Sequence, residues 1–349
     1  MARHFPRCGS GYCQAGHHQN GFFFRESRAE GPCLRICEDE AEGASYLTGI
    51  RDKIERQMIQ LPEDAAERLM RHPCFGEAAR GLANGFTAIH KLEPRTAALF
   101  ATQQRWLMSH AALASYFRAV ECGQAGVMLR DVVKLAVKYE LCSRNTAIAF
   151  FNEALKYGII EPVIRDNLKG QLSVAPSREA IEALAGWYVV HLRARDLLDN
   201  GHRSERFLAA GPAAVAAIEP IVADALLSAE LVRFPRAVYT IFTWMDEGGI
   251  LMDRLIAAAD PVAFAEDKIM TSIVSANALA SGSSLSRAHA GRKLAEAEAI
   301  GALGWSGRRG SSPIWISEAF REEYYLNQAL KLEIIERALE LRAPWILSR

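Results

Sequence analysis

From about residue 44 the apolar positions recur every three or four residues, the period of helices with one buried face. TGIRDKIERQMIQL, then PEDAAERLMRH starting on Pro62, then ALFATQQRWLMSHAALASYFRAV all carry it. In the last, Leu107, Ala111, Leu113 and Phe117 share a face. The segment 129–141, LRDVVKLAVKYEL, groups Leu129, Val132, Val133 and Ala136, and Cys142-Ser143 breaks it before another helix. After Gly158 the period changes: IIEPVI reads as a strand, RDNLKG as a polar turn and QLSVA as the returning strand. Pro162 suits only an edge there, since it offers no ladder donor. Helix resumes at Ser177, with Ile181, Leu184, Tyr188 and Leu192 on its apolar side, and Asp199-Asn200-Gly201 ends it. Residues 203–232 read as an Ala-rich helical connector, with breaks predicted at Gly211-Pro212 and at Pro220.

The plan then recurs. A helix (FPRAVYTIFTWM), a break at Gly248-Gly249 and another helix fill 234–259, and AFAEDKIMTSIVSANAL at 263–279 takes the helical place of 129–141. Residues 286–303, SRAHAGRKLAEAEAIGAL, match residues 143–160, SRNTAIAFFNEALKYGII, at six of eighteen positions without a gap. The identities are Ser143/Ser286, Arg144/Arg287, Ala147/Ala290, Glu153/Glu296, Ala154/Ala297 and Gly158/Gly301. Each copy opens on an N-cap serine and closes on a glycine suited to a helix end. A second hairpin follows, ALGW, then SGRRGS, then SPIWIS, and a long helix closes the chain. Two compact helices, a glycine stop, a hairpin and a long helix form the order of a winged helix-turn-helix domain. The predicted fold class is mainly α, with two such domains, small two-stranded wings and helical joining segments. Their expected limits are a tail at 1–43, a first domain at 44–202, a connector at 203–232 and a second domain at 233–349.

A chain of 349 residues favours two domains, and a composition half apolar and 23% charged is that of a globular protein. No run of eighteen apolar residues and no signal-peptide core is present, so the expected location is the cytoplasm, without a membrane. Four of the seven cysteines, Cys8, Cys13, Cys33 and Cys37, lie near His17 and His18. Their C-x4-C and C-x3-C spacings are looser than a zinc knuckle, so the reading is a flexible tail with at most a weak metal site. Cys74, Cys122 and Cys142 sit in apolar helical surroundings and are expected to be buried. No phosphate loop, H-E-x-x-H or G-x-S-x-G elbow occurs, so neither enzyme nor cofactor is predicted.

The positive indication is for double-stranded DNA. A recognition helix uses its N-terminal residues on base edges, while its backbone amides attract phosphate. In the second copy, about 284–300, these are Ser284, Ser286, Arg287, His289, Arg292 and Lys293, with Arg308 and Arg309 at a glycine-flanked, flexible wing tip. Arginine reads guanine with two parallel bonds, and wing cations suit the minor groove or backbone. Five Lys/Arg face two Glu over 284–310, although the whole chain balances 41 cations against 41 anions. In the first copy, about 143–157, the candidates are Ser143, Arg144, Asn145, Thr146, Asn152 and Lys156, with Arg165 and Lys169 at the wing tip and Lys134 and Lys138 on the preceding helix. A contact with protein is nearly as well supported for that copy.

These residues carry a resemblance: the helix, helix, S-R helix, E-A-x-x-x-G, wing and long helix look like the MarR-type winged-helix transcription regulators, over about 100–200 and 233–342. The resemblance implies a sequence-specific DNA-binding regulator with two recognition helices, and a homodimer formed through terminal helices. Here two copies on one chain imitate that dimer or serve within a larger one. A replication-initiator-like protein with tandem winged helices and a winged-helix protein-interaction scaffold are the alternatives.

Overall fold

The computed structural model describes residues 63–92, 102–163, 172–243, 248–260, 267–283 and 285–347. The cysteine-rich tail, the helix expected over 48–61, Ser284 and the first hairpin's tip, with Arg165 and Lys169, lie outside these residues.

Helices α1 (Glu63–Met70) and α2 (Phe75–Leu92) come first. The Thr102 hydroxyl accepts from the Arg105 amide at 3.1 Å and starts α3 (Gln103–Glu121). Strand β1 (Val127–Met128) runs directly into α4 (Leu129–Lys138), and Glu140, at φ 55°, turns the chain toward α5 (Arg144–Lys156). Strands β2 (Ile160–Pro162) and β3 (Ser173–Pro176) follow, then α6 (Arg178–Asp199), which ends on left-handed Asn200. The connector comprises α7 (Arg203–Ala210), α8 (Pro212–Ser228) and the single turn α9 (Glu230–Arg233). The second repeat is α10 (Ala237–Thr243), α11 (Gly248–Ala257), β4 (Lys268–Met270), α12 (Ala276–Ala280), α13 (Arg287–Ala299), β5 (Leu303–Trp305), β6 (Ile314–Ser317) and α14 (Glu318–Arg342), with α15 (Pro344–Leu347) closing the chain.

The protein is mainly helical, with two small antiparallel sheets among the described residues, ordered β1-β3-β2 and β4-β6-β5. Each sheet has three strands where the hairpin pattern predicts two; the added strand comes from ahead of the compact helices and pairs with the returning strand. A strand of two or three residues is too short to show a period. In the second repeat it replaces the N-terminal part of the helix expected over 263–279, because Ile269 is fully buried between exposed Lys268 and Met270, an alternation that fits a pleat. The helix that remains, α12, has five residues. Pro162 lies on β2, an edge strand, as its missing donor requires.

The framework of the repeat is reproduced in hydrogen bonds. Ser143 Oγ accepts from the Thr146 amide, and Ser286 Oγ from the His289 amide, both at 3.2 Å. Gly158 and Gly301 follow the helices at φ 68° and 71°, left-handed conformations that suit glycine. The Ser177 amide donates to the Ile159 carbonyl, and the Ser317 amide to the Ala302 carbonyl, each at 2.9 Å. Thus each returning strand is pinned beside the turn that ends the preceding helix.

The expected break at Pro220 does not occur; α8 runs unbroken from Pro212 to Ser228. A proline inside a helix costs about 3 kcal/mol. Here Ala214, Val215, Ile218, Ile221, Val222, Ala225 and Leu226 are buried around the helix, and this packing outweighs the loss. Gly211 does end α7. No single helix among the described residues is long and apolar enough to cross a membrane. Cys74 and Cys122 are exposed, contrary to expectation, since one lies in the turn before α2 and the other just past the end of α3; Cys142 is half-buried.

The buried side chains form two clusters that do not follow chain order. One joins α1, α2 and part of α6 to α10–α13, the second sheet and the first part of α14. The other joins α3–α6 and α8 to the last turns of α14 and to α15. Helices α6 and α14 therefore serve both cores. Arg203 reinforces the crossing, pairing with Asp199 at 2.7 Å and with Glu336 of α14 at 2.9 Å.

Candidate nucleic-acid interface

Helices α5 and α13 each have thirteen residues and bury equivalent positions: Ala147, Phe151 and Ala154 in one, Ala290, Leu294 and Ala297 in the other. Their first residues are Arg144 and Arg287; the cap serines precede them, so the helix expected from 284 starts at 287. Both cap hydroxyls are engaged by backbone amides, which leaves Ser143 and Ser286 as helix-starting groups. The remaining free amides of the first turn still point outward, toward any anion that approaches.

On α13, Arg287 and Arg292 are exposed, and neither has an ion pair among the described residues; His289 is half-buried. Lys293 lies lower, its side chain 22% exposed, and pairs with Glu296 at 2.7 Å. At the hairpin tip the Gly307 amide donates to Ser312 Oγ at 2.9 Å, and the Ser311 amide to the Arg308 carbonyl at 3.1 Å. Arg309 bends back, its guanidinium 4.8 Å from the Trp305 ring centroid and 3.4 Å from Glu298 of α13. That pair fastens the tip to the helix and leaves Arg308 exposed, with no ion pair among the described residues. Gly304 is required, because a Cβ there would come within 2.5 Å of the Trp315 ring.

On α5, Arg144, Asn145, Thr146, Asn152 and Lys156 are all exposed. The Thr146 hydroxyl lies 2.9 Å from Ser143 Oγ, and the Lys156 ammonium lies 5.6 Å from the Tyr157 ring centroid. Ile148 and Tyr157 are exposed on the same helix and just beyond it. Glu153 binds Arg105 of α3 at 2.8 Å and so fixes the helix against its neighbour. Lys134 pairs with Asp131 at 2.9 Å, and Lys138 lies over Tyr139.

Behind α5 the sequence reading missed a cavity of about 620 Å³. Phe150, Phe151 and Ala154 form part of its wall, and α11 and α14 close the far side with Asp253, Tyr324 and Lys331. Next to it, Glu219 is fully buried and accepts from the Tyr188 hydroxyl at 2.5 Å, with His110 Nδ1 at 2.8 Å. Burial lowers His191 to about 3, so its ring is neutral at pH 7. One signal was available: Tyr324, Gln328 and Lys331 fall at i, i+4 and i+7 on an otherwise apolar face of α14. No cluster of His, Cys, Asp or Glu that could hold a metal ion occurs among the described residues. Neither a family model, nor a curated protein, nor a solved structure matches the chain.

Proposed function

We propose that the chain is a sequence-specific double-stranded DNA-binding transcription regulator with two winged helix-turn-helix domains, akin to the MarR type, in which the second domain makes the larger contact. The observation that carries this reading is the outward face of α13. Arg287 and Arg292 stand exposed on a serine-capped helix, and Arg308 stands at a hairpin tip fastened to that helix through Arg309 and Glu298. Arginines there can take base edges, the helix N-terminus takes a phosphate, and the hairpin follows the adjacent backbone. The net charge of zero counts against this reading, and what offsets it is local: five Lys/Arg against two Glu over 284–310. The two copies in one chain take the place of two protomers. For the first copy, exposed Ile148 and Tyr157 favour a protein contact beside or instead of DNA.

The test is selection of duplexes from a randomised pool, followed by fluorescence anisotropy at several salt concentrations. Arg287→Ala is expected to weaken specific binding by about 1–3 kcal/mol, and Arg308→Ala to lower the salt slope by about 1. Arg309→Ala should change the slope less, because Glu298 already neutralises it. Unaltered binding in Arg287→Ala and Arg308→Ala together would remove this face from the contact.

A further inference from the structure

The cavity behind α5 holds a primary amine in an aromatic wall. Lys331 is only 8% exposed. Its Nζ lies 3.3 Å from the Tyr239 hydroxyl and 4.9 Å from the Trp106 ring centroid. Asp253, which accepts from the Tyr324 hydroxyl at 2.7 Å, lines the same chamber and acts on Lys331 through its charge. Burial lowers the lysine to about 8 against the pull of that carboxylate, so about a tenth of the amine is uncharged at pH 7. Desolvated lysines of this kind are nucleophiles toward carbonyl groups.

We propose that the cavity is a covalent, reversible binding site for small apolar aldehydes, which Lys331 captures as an imine. The Nζ lone pair attacks the carbonyl carbon, and the π electrons move to oxygen. The Tyr239 hydroxyl, kept protonated by burial, is placed to hand a proton to that oxygen while the nitrogen gives one up. Loss of water from the carbinolamine completes the C=N bond: amine plus aldehyde gives imine plus water, with no oxidant or reductant. The protonated imine keeps a positive charge over the Trp106 ring, and the apolar body of the aldehyde occupies the rest of the chamber. An aldehyde fits better than a ketone, because one small substituent on the carbonyl eases approach to an amine held against two rings. The proposal stands apart from DNA binding, since it concerns only the chamber.

The test uses the full chain with 2-naphthaldehyde and sodium cyanoborohydride, which reduces the imine to a stable secondary amine. Intact mass and peptide mapping should show one adduct, on Lys331, well ahead of exposed Lys134 and Lys268. The adduct should vanish in Lys331→Arg and Lys331→Met, and quenching of tryptophan fluorescence should vanish with it. Labelling spread over surface lysines with Lys331 untouched would overturn the proposal, and the unmodified chain alone decides this if the variants misfold. Tight retention of 2-naphthoate without any trapping of the aldehyde would also overturn it, assigning the chamber to a non-covalent anion.

Discussion

The two repeats hold the same backbone in place and put different side chains on it. Cap serine, buried alanines and terminal glycine agree between α5 and α13, down to hydrogen bonds of equal length. At the position following the shared Ala147/Ala290 turn, however, α5 has buried Phe150 and α13 has Lys293, paired with Glu296. Fourteen residues past the cap of each long helix, α6 has neutral His191 and α14 has Lys331. The first repeat thus turns bulk inward, toward a cavity, and shows a nearly neutral exterior. In the second, α13 turns Ala290, Leu294 and Ala297 inward and places its arginines outside. The shared positions are those that define helix ends and helix packing; the divergent ones line the cavity or face outward.

That contrast is sharpest at Phe150 and Lys293. Phe150→Ala should cost about 3–5 kcal/mol by urea denaturation, whereas Lys293→Ala should stay within about 0.5 kcal/mol. Equal costs would mean that the two helices do not differ at this position.

Next in size is the charge at Lys331. With its pKa lowered to about 8 from 10.5, the folded chain holds fewer protons than the unfolded chain between these values, so stability rises with pH across that window. Asp253, raised by burial from 3.8 to about 7, makes the folded chain hold more protons between those values, and stability falls as pH rises there. Between about 7 and 8 both groups are charged and both burial costs are present. Lys331→Met should therefore stabilise the protein by about 1–3 kcal/mol at pH 7.5, and the gain should shrink by pH 9.5. A pH-independent difference would place the lysine in water.

On DNA, the paired variants Arg144→Ala and Arg287→Ala should separate. The second should lose about 1–3 kcal/mol and the first under about 1, read as dissociation constants on one selected duplex. A reversal would move the main contact to α5. Smallest is a pair that should agree: Gly158→Ala and Gly301→Ala force an L-residue into the left-handed region at φ 68° and 71°, and each should cost about 1–2 kcal/mol in thermal unfolding. Open space surrounds both positions, so crowding would not obscure the comparison.

Local chemistry was legible in the chain, and distant chemistry was not. Ser143, Ser177, Ser286 and Ser317 each mark a helix start because the cap bond reaches only three residues. Gly158 and Gly301 mark the stops for a similar reason. β1 and β4 escaped notice because they are shorter than one readable alternation, and Pro220 misled because the burial around α8 comes from other parts of the chain. That Arg287, Arg292 and Arg308 stand exposed could be read from their positions. That Lys293 and Arg309 face acids could not, since rotamers decide it. The cavity was hidden most thoroughly: Trp106, Tyr239, Asp253 and Lys331 come from four separate stretches, and no spacing links them.

Helix α2 packs along α11, which the chain reaches only about 155 residues later. During synthesis at about 5–20 residues per second, α2 therefore leaves the ribosome about 8–30 s before its partner exists. Part of its apolar surface meets α6, made earlier; the part that α11 covers must be shielded through that interval by transient contacts or a chaperone. A nascent chain halted before residue 248 would complete its first sheet and pack α2 on α6, yet leave bare the side of α2 that α11 covers, a ready mark by which quality control could tell the fragment from the finished protein.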